Sequence, residues 1–454
     1  MSQTVRTVGV FAVMALLLVF VGLQQSWSVT FTIVNLCLIS AVMSLGVNIQ
    51  WGYAGLFNAG IMGFAALGGI AGVLVSRPPV PAAWAAGGAN LALAALVLAA
   101  TVALALFVYR RLPRGRSRAL AITVTVVVGY FATRAFFDPA VEAIEAVDPA
   151  KTGYLGGLGL PIILSWAAGG LFAAGAAYLV ARVALGLRSD YLAIATLGIS
   201  EIVIAVLKNE DWLTRGVKNV TGLDRPVPYE VELQKSPWFV DWVQWWNEGT
   251  LAALAEAERV AALKSLLIDA SSLVVKLSYT GLFLVVLLIL LWLSERALRS
   301  PWGRMMRAIR DSEEAAEAMG KDVVRRHRQT FILGSAVVGI AGAMLTTLDG
   351  QFTPGTYNPL RFTFLIWVMV IVGGSGNNLG AVIGGFLIWF LWVEAEPLGL
   401  WLMELITAGM AEDSGVRASL MDAAPHMRLF LMGLLLLIVM RFSPRGLIPE
   451  VVRR

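Results

Sequence analysis

The sequence predicts an all-α, polytopic transmembrane helix bundle with about 10–12 membrane segments. Three observations predict it. Hydrophobic residues make up 58% of the 454-residue chain and charged residues only 14%, with a mean hydropathy of +0.75. A soluble globular chain is about half apolar and about a quarter charged. The apolar residues fall into runs close to the roughly 20 residues that a helix needs to cross hydrocarbon. The charges collect between the runs, and their sign differs from one group of connections to the other. This composition excludes a soluble enzyme and an ordinary nucleic-acid binder. The net charge of +5 is assigned to loops held on the cytoplasmic side.

Taken in order, apolar runs lie near 7–24, 28–49, 54–76, 84–109, 119–137, 161–185 and 190–207, then near 272–296, 329–349, 362–376, 378–393 and 427–441. Twelve is an upper count, because the last few are short and two of them suit half-helices or re-entrant segments. The first run, Val8 to Gly22, has the look of a signal peptide. No small-residue cleavage site follows and a new apolar run begins at Val29, so a retained helix is expected.

Orientation follows from the connections. The loop 110–118 carries Arg110, Arg111, Arg114, Arg116 and Arg118 with no acid. Segment 297–328 has eight Lys/Arg against five Asp/Glu, and the C-terminus adds Arg441, Arg445, Arg453 and Arg454. The positive-inside rule makes these three cytoplasmic. Segment 138–151 holds four acids against one base, and 394–424 holds Glu394, Glu396, Glu404, Glu412, Asp413 and Asp422 against Arg417. Strict alternation puts both acidic segments outside and both chain ends inside. The long polar region 208–271 also falls outside. Its Trp212, Trp238, Trp242, Trp245 and Trp246 suit an interfacial belt, and Leu251–Leu267 reads as an amphipathic helix lying on the membrane. The alternative for this region is an insertion that only packs.

Little metal or thiol chemistry is available. Cys37 is the single cysteine, set in an apolar run that suits a buried, inert thiol. His327 and His426 lack partners at ligand spacing, so no metal site is expected.

The most informative segment is the charged connection 302–320. Pro301 and Gly303 open it, Glu313 to Ala318 is strong helix-forming sequence, and Gly320 ends it. On charge alone it is a solvated loop helix. Its letters say more. Glu314-Ala315-Ala316, with Gly320 four residues on, resembles the EAA…G loop of bacterial ABC importer permeases. Gly303-Arg304, Arg307 to Arg310, Gly339 to Gly342 (GIAG), Tyr191 to Glu201 (YLAIATLGISE), Leu213 to Gly216 (LTRG), Val372 to Gly376 (VGGSG), Pro444 to Leu447 (PRGL) and Gly52 to Phe64 (GYAGLFNAGIMGF) resemble permease subunits of branched-chain amino acid importers of the LivM type. The pieces run from about residue 40 to 449, and the joint match is specific. Two departures stand out. Residues 321–335 contain no Pro where the loop pattern of ABC permeases often continues to one, and regions 208–271 and 394–426 are long for the family.

The resemblance implies a single permease domain over 1–454, with a periplasmic or interfacial insertion at 208–271 and a cytoplasmic coupling loop at 297–328. It implies import of branched-chain amino acids through the bacterial inner membrane by alternating access. The implied partners are a second permease subunit, two ATPase subunits, a periplasmic binding protein and the amino acid, within membrane lipid and without nucleic acid. Gly303, Arg304, Arg307, Arg310, Glu313, Glu314, Ala315, Ala316 and Gly320 are the implied ATPase-coupling residues. No G-x-x-x-x-G-K-[ST] occurs, so ATP and Mg are expected on the separate ATPase chains, this chain is not an enzyme, and no cofactor is assigned to it.

Within the spans, Glu201 falls near the middle of 190–207, with Thr196 and Gly198 beside it. Ionisable residues there carry functional weight. Glu201 has two readings, attraction of a substrate ammonium or a structural or gating hydrogen bond. Asn58 contacts substrate or pins helices. Gly373-Gly374-Ser375-Gly376 predicts a backbone break, which either lines a substrate cavity or serves close helix packing alone. Gly376, Gly380 and Gly384, like Gly68 and Gly72, form small-residue stripes for close packing. Lys276 and Arg361 lie near span ends, where snorkelling explains them. Related permeases carry urea or short amides, which leaves the solute open within the class. An ion-coupled secondary transporter needs paired intramembrane charges, and Glu201 stands nearly alone.

Overall fold

The computed structural model describes residues 3–149, 151–410 and 414–450. Glu412, Asp413, Arg453 and Arg454, counted above as orienting charges, lie outside the described residues. Among the described residues ten helices are long and apolar enough to cross a membrane, and two apolar helices are shorter. The expected all-α polytopic bundle is what the chain forms.

Helix α1 (Gln3–Gln24) turns into α2 (Trp27–Ala54), where Ser26 caps by accepting from the Val29 amide at 3.1 Å. α2 stops at Gly55, whose φ of +69° is left-handed. The expected run 54–76 therefore starts late: residues 55–60 are not helical and α3 is only Ile61–Ser76. α4 (Pro81–Arg111) and α5 (Arg116–Glu145) form a hairpin across the Arg-rich loop. α6 (Leu164–Ala184) and α7 (Ser189–Asn209) follow.

The Trp-rich region folds as short pieces: α8 (Asp211–Thr214), strand β1 (Val220–Thr221), α9 (Glu230–Lys235), α10 (Pro237–Trp246) and α11 (Glu248–Ala252). It is tied down by β1 pairing with β2 (Gln351–Phe352) and by Phe239 and Val243 of α10, both buried. Trp238, Trp242, Trp245 and Trp246 remain exposed. The expected amphipathic helix Leu251–Leu267 does not exist as a unit. Leu251 ends in α11, and from Glu256 the chain enters α12 (Glu256–Arg299), one helix of 44 residues, about 66 Å long at 1.5 Å per residue. Between 256 and 299 the sequence has no proline and one glycine, so nothing stops a helix at the edge of the apolar stretch.

α13 (Pro301–Asp311) and α14 (Glu313–Ala318) lead into α15 (Val323–Asp349). α16 (Pro359–Gly373) and α17 (Asn378–Thr407) flank the break at 374–377. α17 runs 14 residues beyond the expected 393, through Pro397. Glu394, Glu396 and Glu404 thus sit on a helix instead of in a loop; Glu394 accepts from Gln25 Nε2 at 2.9 Å. α18 (Gly415–Asp422) and α19 (Met427–Phe442) follow closely on one another and together make the tenth span, Gly415–Phe442.

Glycine decides which helices form the core. A methyl at Gly68 of α3 would meet Gly339 Cα of α15 at 2.8 Å, and one at Gly169 of α6 would meet Gly68 Cα at 3.0 Å. One at Gly385 of α17 would meet Ala41 Cα of α2 at 2.7 Å. Backbones that close leave no room for a side chain. The resulting core is built on α2, α3, α6, α15, α16 and α17, and Cys37 is fully buried where α2 meets α1 and α17. Lys276 does more than snorkel: its Nζ donates to Ser28 O at 3.1 Å and to Ser28 Oγ at 2.6 Å. Arg361 lies over the Trp392 ring at 4.8 Å.

Contacts between distant segments sort the helix ends. Gln3 and Arg6 reach Pro449, Ser443 and Gly446, and α13 reaches Gly52 and Glu450. Both described ends of the chain therefore share one end of the bundle with α13. β1 meets β2, Pro79 bridges Gly156, and Arg428 pairs with Glu396 at the other.

Candidate functional site

Three pieces of chain converge at the end of the bundle that carries α13. The first is the arm α13–α14. Ser300 caps α13 from its Oγ to the Gly303 amide at 3.4 Å, with Pro301 at the first helical position. Ser312 caps α14 on the Ala315 amide at 3.3 Å, and Gly320, with φ +75°, ends the arm in the left-handed region. Met306, Ile309 and Ala316 are buried under the arm, and Thr330 of α15 donates to the Met306 sulfur at 3.0 Å. Gly303 packs against the end of α12, where a methyl would meet Ala297 O at 2.6 Å.

The nine residues expected in the coupling loop thus divide. Arg304, Glu313, Glu314, Ala315 and Gly320 are exposed on the outer face. Gly303 and Ala316 are buried beneath it. Arg307 and Arg310 are half-buried and turn inward to Glu450, Arg310 through Nη2 at 2.9 Å and Arg307 at 4.0 Å. Arg310 also donates to Gly52 O and lies beside Asp311 at 3.3 Å. His327, buried on α15, places Nε2 3.7 Å from Glu313 Oε1.

The second piece is the break at 374–377. Gly374 and Gly376 have φ of +117° and +81°, values that a β-carbon opposes. Asn48 Oδ1 accepts from the Gly376 amide at 2.8 Å, Asn48 Nδ2 donates to Asn378 Oδ1 at 3.1 Å, and Asn378 Nδ2 donates to Glu295 Oε1 at 2.9 Å. Tyr53 donates to the same Asn378 oxygen. Gly373, Gly380 and Gly384 pack α16 against α17; a methyl at Gly384 would meet Gly373 Cα at 3.0 Å. Ser375 is exposed.

The third piece is the break at 55–60. Asn58 Oδ1 accepts from the Gly60 amide at 2.8 Å, and its Nδ2 donates to Gln50 Oε1 at 3.0 Å. Gln50 Nε2 bridges to Phe331 O and Ser335 Oγ of α15, each at 3.0 Å. Thr196 of α7 accepts from the Ala59 amide at 3.0 Å, and Trp367 of α16 donates to Asn58 O at 3.1 Å. Trp51, Phe57 and Trp367 form an aromatic cluster around the break, with centroids 4.3–5.8 Å apart. Asn58 and Thr196 are therefore brought together. Glu201 is not among them: it lies on the exposed face of α7.

Sequence reasoning missed Asn48, Gln50, Tyr53, Asn378, Trp367 and Glu450. Amides set in otherwise apolar stretches were the available signal for Asn48, Gln50 and Asn378, since a buried amide needs partners. Nothing comparable marks Glu450.

Two non-helical connections, 55–60 between α2 and α3 and 374–377 between α16 and α17, thus stand with a seated surface arm at one end of the bundle. The family described as branched-chain amino acid transport system, permease component, matches residues 29–440, which takes in the arm and both breaks. The chain belongs to that family. The permease is similar to the high-affinity branched-chain amino acid transport system permease protein LivM of Escherichia coli (strain K12), 29% identical over 263 residues, which is 58% of this chain and 57% of that protein. It is similar to the probable LivM permease of Methanocaldococcus jannaschii, 28% identical over 34% of this chain and 42% of that protein. It also resembles the probable LivH permease of that organism, at 32% over 23% of this chain and 32% of that protein. The alignment with the permease spans little more than half the length of the Escherichia coli relative. No solved structure matches the permease.

Proposed function

We propose that this permease is the membrane-spanning subunit of an ATP-driven importer that moves branched-chain, hydrophobic amino acids into the cytoplasm. The observation that carries the reading is the two-faced arm. Its inner face is fixed to α15 through Met306 and Thr330, while Arg304, Glu314 and Ala315 face outward and, among the described residues, no helix covers them; Glu313, also exposed, reaches back toward His327. Such an element transmits a push from another protein to the spans. In this reading the arm faces the cytoplasm, both termini lie on the cytoplasmic side of the bacterial inner membrane, and region 208–271 faces the periplasm. Two ATPase subunits holding ATP and Mg bind the arm, a second permease subunit completes the pathway, and a periplasmic binding protein delivers the solute. The family match and the likeness to both LivM and LivH support this arrangement.

Alternating access suits the two breaks. Residues 55–60 and 374–377 are the non-helical connections at which α2 gives way to α3 and α16 to α17, and backbone freed from a helix is where transporters expose polar groups to solutes and bend. Asn58, Thr196, Gly373, Gly374, Ser375 and Gly376 belong to the pathway as its hinge points. Glu201, on the open face of α7, belongs to it through the surface shared with the second permease subunit.

Proteoliposomes containing the permease with its partner subunits test the reading, with labelled leucine uptake and ATP hydrolysis measured together. Glu314→Lys and Arg304→Glu are expected to lower leucine taken up per ATP by roughly tenfold, the scale of one lost charge-assisted contact. An unchanged ratio in both refutes the coupling role. Urea or acetamide uptake in place of leucine reassigns the solute. Leucine uptake driven by an ion gradient without ATP replaces the mechanism. Glu201→Gln is expected to raise the leucine concentration needed for half-maximal uptake, and wild-type uptake at all concentrations removes Glu201 from the pathway.

A further inference from the structure

The last described residues do not trail away from the bundle. After α19 ends at Phe442, the chain turns back, with the Gly446 amide donating to Ser443 O at 2.8 Å. It then runs along the end of α16. The Leu447 amide donates to Val372 O at 2.8 Å and the Ile448 amide to Gly373 O at 2.9 Å. Those carbonyls belong to the last turn of α16 and have no partner within that helix. A methyl at Gly374 would meet the Ile448 carbonyl carbon at 2.9 Å, so the break and the tail are in van der Waals contact. Ile448 is fully buried, Asn377 Nδ2 donates to Pro449 O at 3.2 Å, and Gln3 Nε2 donates to the same oxygen at 2.9 Å. Arg6 holds Ser443 Oγ at 3.1 Å and Gly446 O at 3.2 Å.

This path delivers Glu450 to the inner face of the coupling arm. Its side chain is 18% exposed and receives Arg310 on Oε2 and Arg307 on Oε1, which are 24% and 31% exposed. The groups facing this carboxylate include those two guanidinium groups, the Tyr53 side chain, and the backbone of Gly376, where a methyl would meet Glu450 Oε2 at 2.7 Å and Arg310 Nη1 at 3.1 Å. Asp311 is the competing acid on Arg310. A paired carboxylate at this depth is poorly screened by water. Losing the charge leaves two guanidinium groups short of a partner, and a half-removed pair of this kind is strongly unfavourable.

We propose that residues 443–450 form a strap that ties the coupling arm to the break at 374–377, with Glu450 the positioning residue that grips Arg307 and Arg310. The proposal rests on the arm being the coupling element. A displacement of α13 pulls Glu450, and the tail backbone carries that pull to the carbonyls of Val372 and Gly373 and to the glycines beside them. The strap thus converts movement of a surface helix into bending at the 374–377 break.

The test uses the complete transporter in proteoliposomes, reading leucine uptake per ATP hydrolysed. Glu450→Gln is expected to lower that ratio about tenfold, the loss of a charge-assisted contact, and Glu450→Asp to recover part of it. Glu450→Arg is expected to be worse, and the double variant Glu450→Arg/Arg310→Glu to recover part of that loss by restoring the pair in reverse, short of wild type because the new carboxylate cannot donate to Gly52 O and stands beside Asp311. A second readout needs no solute: trypsin cleavage after Arg445 is expected to accelerate in Glu450→Gln vesicles and to return toward wild type in the double variant. A wild-type ratio in Glu450→Gln, or a double variant no better than Glu450→Arg, overturns the strap. If Glu314→Lys uncouples while Glu450→Gln does not, the strap alone falls. If neither uncouples, the coupling role of the arm falls with it.

Discussion

Helices α2 and α4 are both long and strongly apolar, yet they live in different surroundings. In the most apolar window of α2, 72% of residues are buried inside the protein; in that of α4, 6% are. α15 and α17 resemble α2, each with 67% buried, and α5 resembles α4 with 6%. Apolarity places a helix in the membrane and says nothing about what it touches there, because lipid tails are as apolar as a protein core. The distinction is carried by residues that hydropathy ignores. α2 holds Asn35, Ser40, Ser44, Asn48 and Gln50, all buried, and Gly46 faces α15. The α4–α5 hairpin exposes Leu93, Leu96, Leu104, Phe107, Val126 and Phe131. The core is therefore specified by small residues and amides; the hairpin closes on itself at Gly87 against Ala140 and Gly129 against Thr101, and its outer face is specified only by being greasy.

The sharpest way to break this comparison is to add bulk where the core leaves none. Gly385→Leu places a side chain where a methyl already meets Ala41 Cα at 2.7 Å and Ala41 N at 2.8 Å. The obstruction is backbone, which cannot rotate away, so α2 and α17 must separate. Overpacking of this kind costs about 1–3 kcal/mol where neighbours can adjust, and more where they cannot. The expected outcome is loss of folded permease, seen as aggregation on size-exclusion chromatography in detergent. A monodisperse Gly385→Leu protein with wild-type thermal stability would show that the close approach does not hold the core. Gly433→Ala, on α19 with nothing within 4 Å of the new methyl, is the matched control and is expected to be neutral.

A smaller effect is expected from removing an amide. Gln50 joins Asn58 to Phe331 and Ser335, so it links the break at 55–60 to α15. Gln50→Leu keeps most of the volume and leaves the Phe331 carbonyl, the Ser335 hydroxyl and the Asn58 amide short of a partner. Each buried polar group left unsatisfied costs about 1–3 kcal/mol in water-soluble proteins. In membrane bundles a single hydrogen bond averages only about 0.6 kcal/mol, because separated helices find other partners. The expected destabilisation is about 1–2 kcal/mol, read as a lowered thermal midpoint in detergent. No shift would mean that the break at 55–60 is held by Thr196 and Trp367 alone.

The same contrast explains what the sequence disclosed. Span positions were readable to within a few residues at Gly374, where the expected 362–376 meets α16 ending at Gly373, but not at Gly55, after which α3 begins seven residues later than the expected 54. They were misread where the helix outlasts its apolar stretch: α12 begins 16 residues before 272, and α17 carries Glu394 and Glu396 on a helix. Helix propensity of residues such as Glu256 to Ala270 does not fall at the edge of the membrane, so composition marks the span and not the helix. In the candidate site the arm was legible because its caps, Ser300, Ser312 and Gly320, are local signals. The roles of Arg307 and Arg310 were not, since Glu450 is 140 residues from Arg310 in sequence and only tertiary folding brings them together. Asn58 was noticed as a lone amide, but its partners Gln50, Trp367 and the Gly60 amide are set by the break, which has no sequence period to announce it.

The smallest expected effect belongs to the hairpin, and it sharpens the comparison most because it predicts nearly nothing. Leu104 on α4 is 52% exposed. In a soluble protein, Leu→Ala at a buried site costs about 2–5 kcal/mol through lost transfer energy and the cavity left behind. Neither contribution applies to a side chain facing lipid: acyl chains refill the space, and the methylenes have the same kind of neighbour folded or unfolded within the bilayer. Leu104→Ala is therefore expected to change thermal stability by less than about 0.5 kcal/mol and to leave leucine uptake per ATP unchanged. Leu45→Ala on α2, fully buried, removes the same atoms from a site that lipid cannot refill, and a clear loss is expected there. Equal losses at the two positions would mean that the outer face of the hairpin is buried in the assembled transporter, which would make α4 and α5 part of its core.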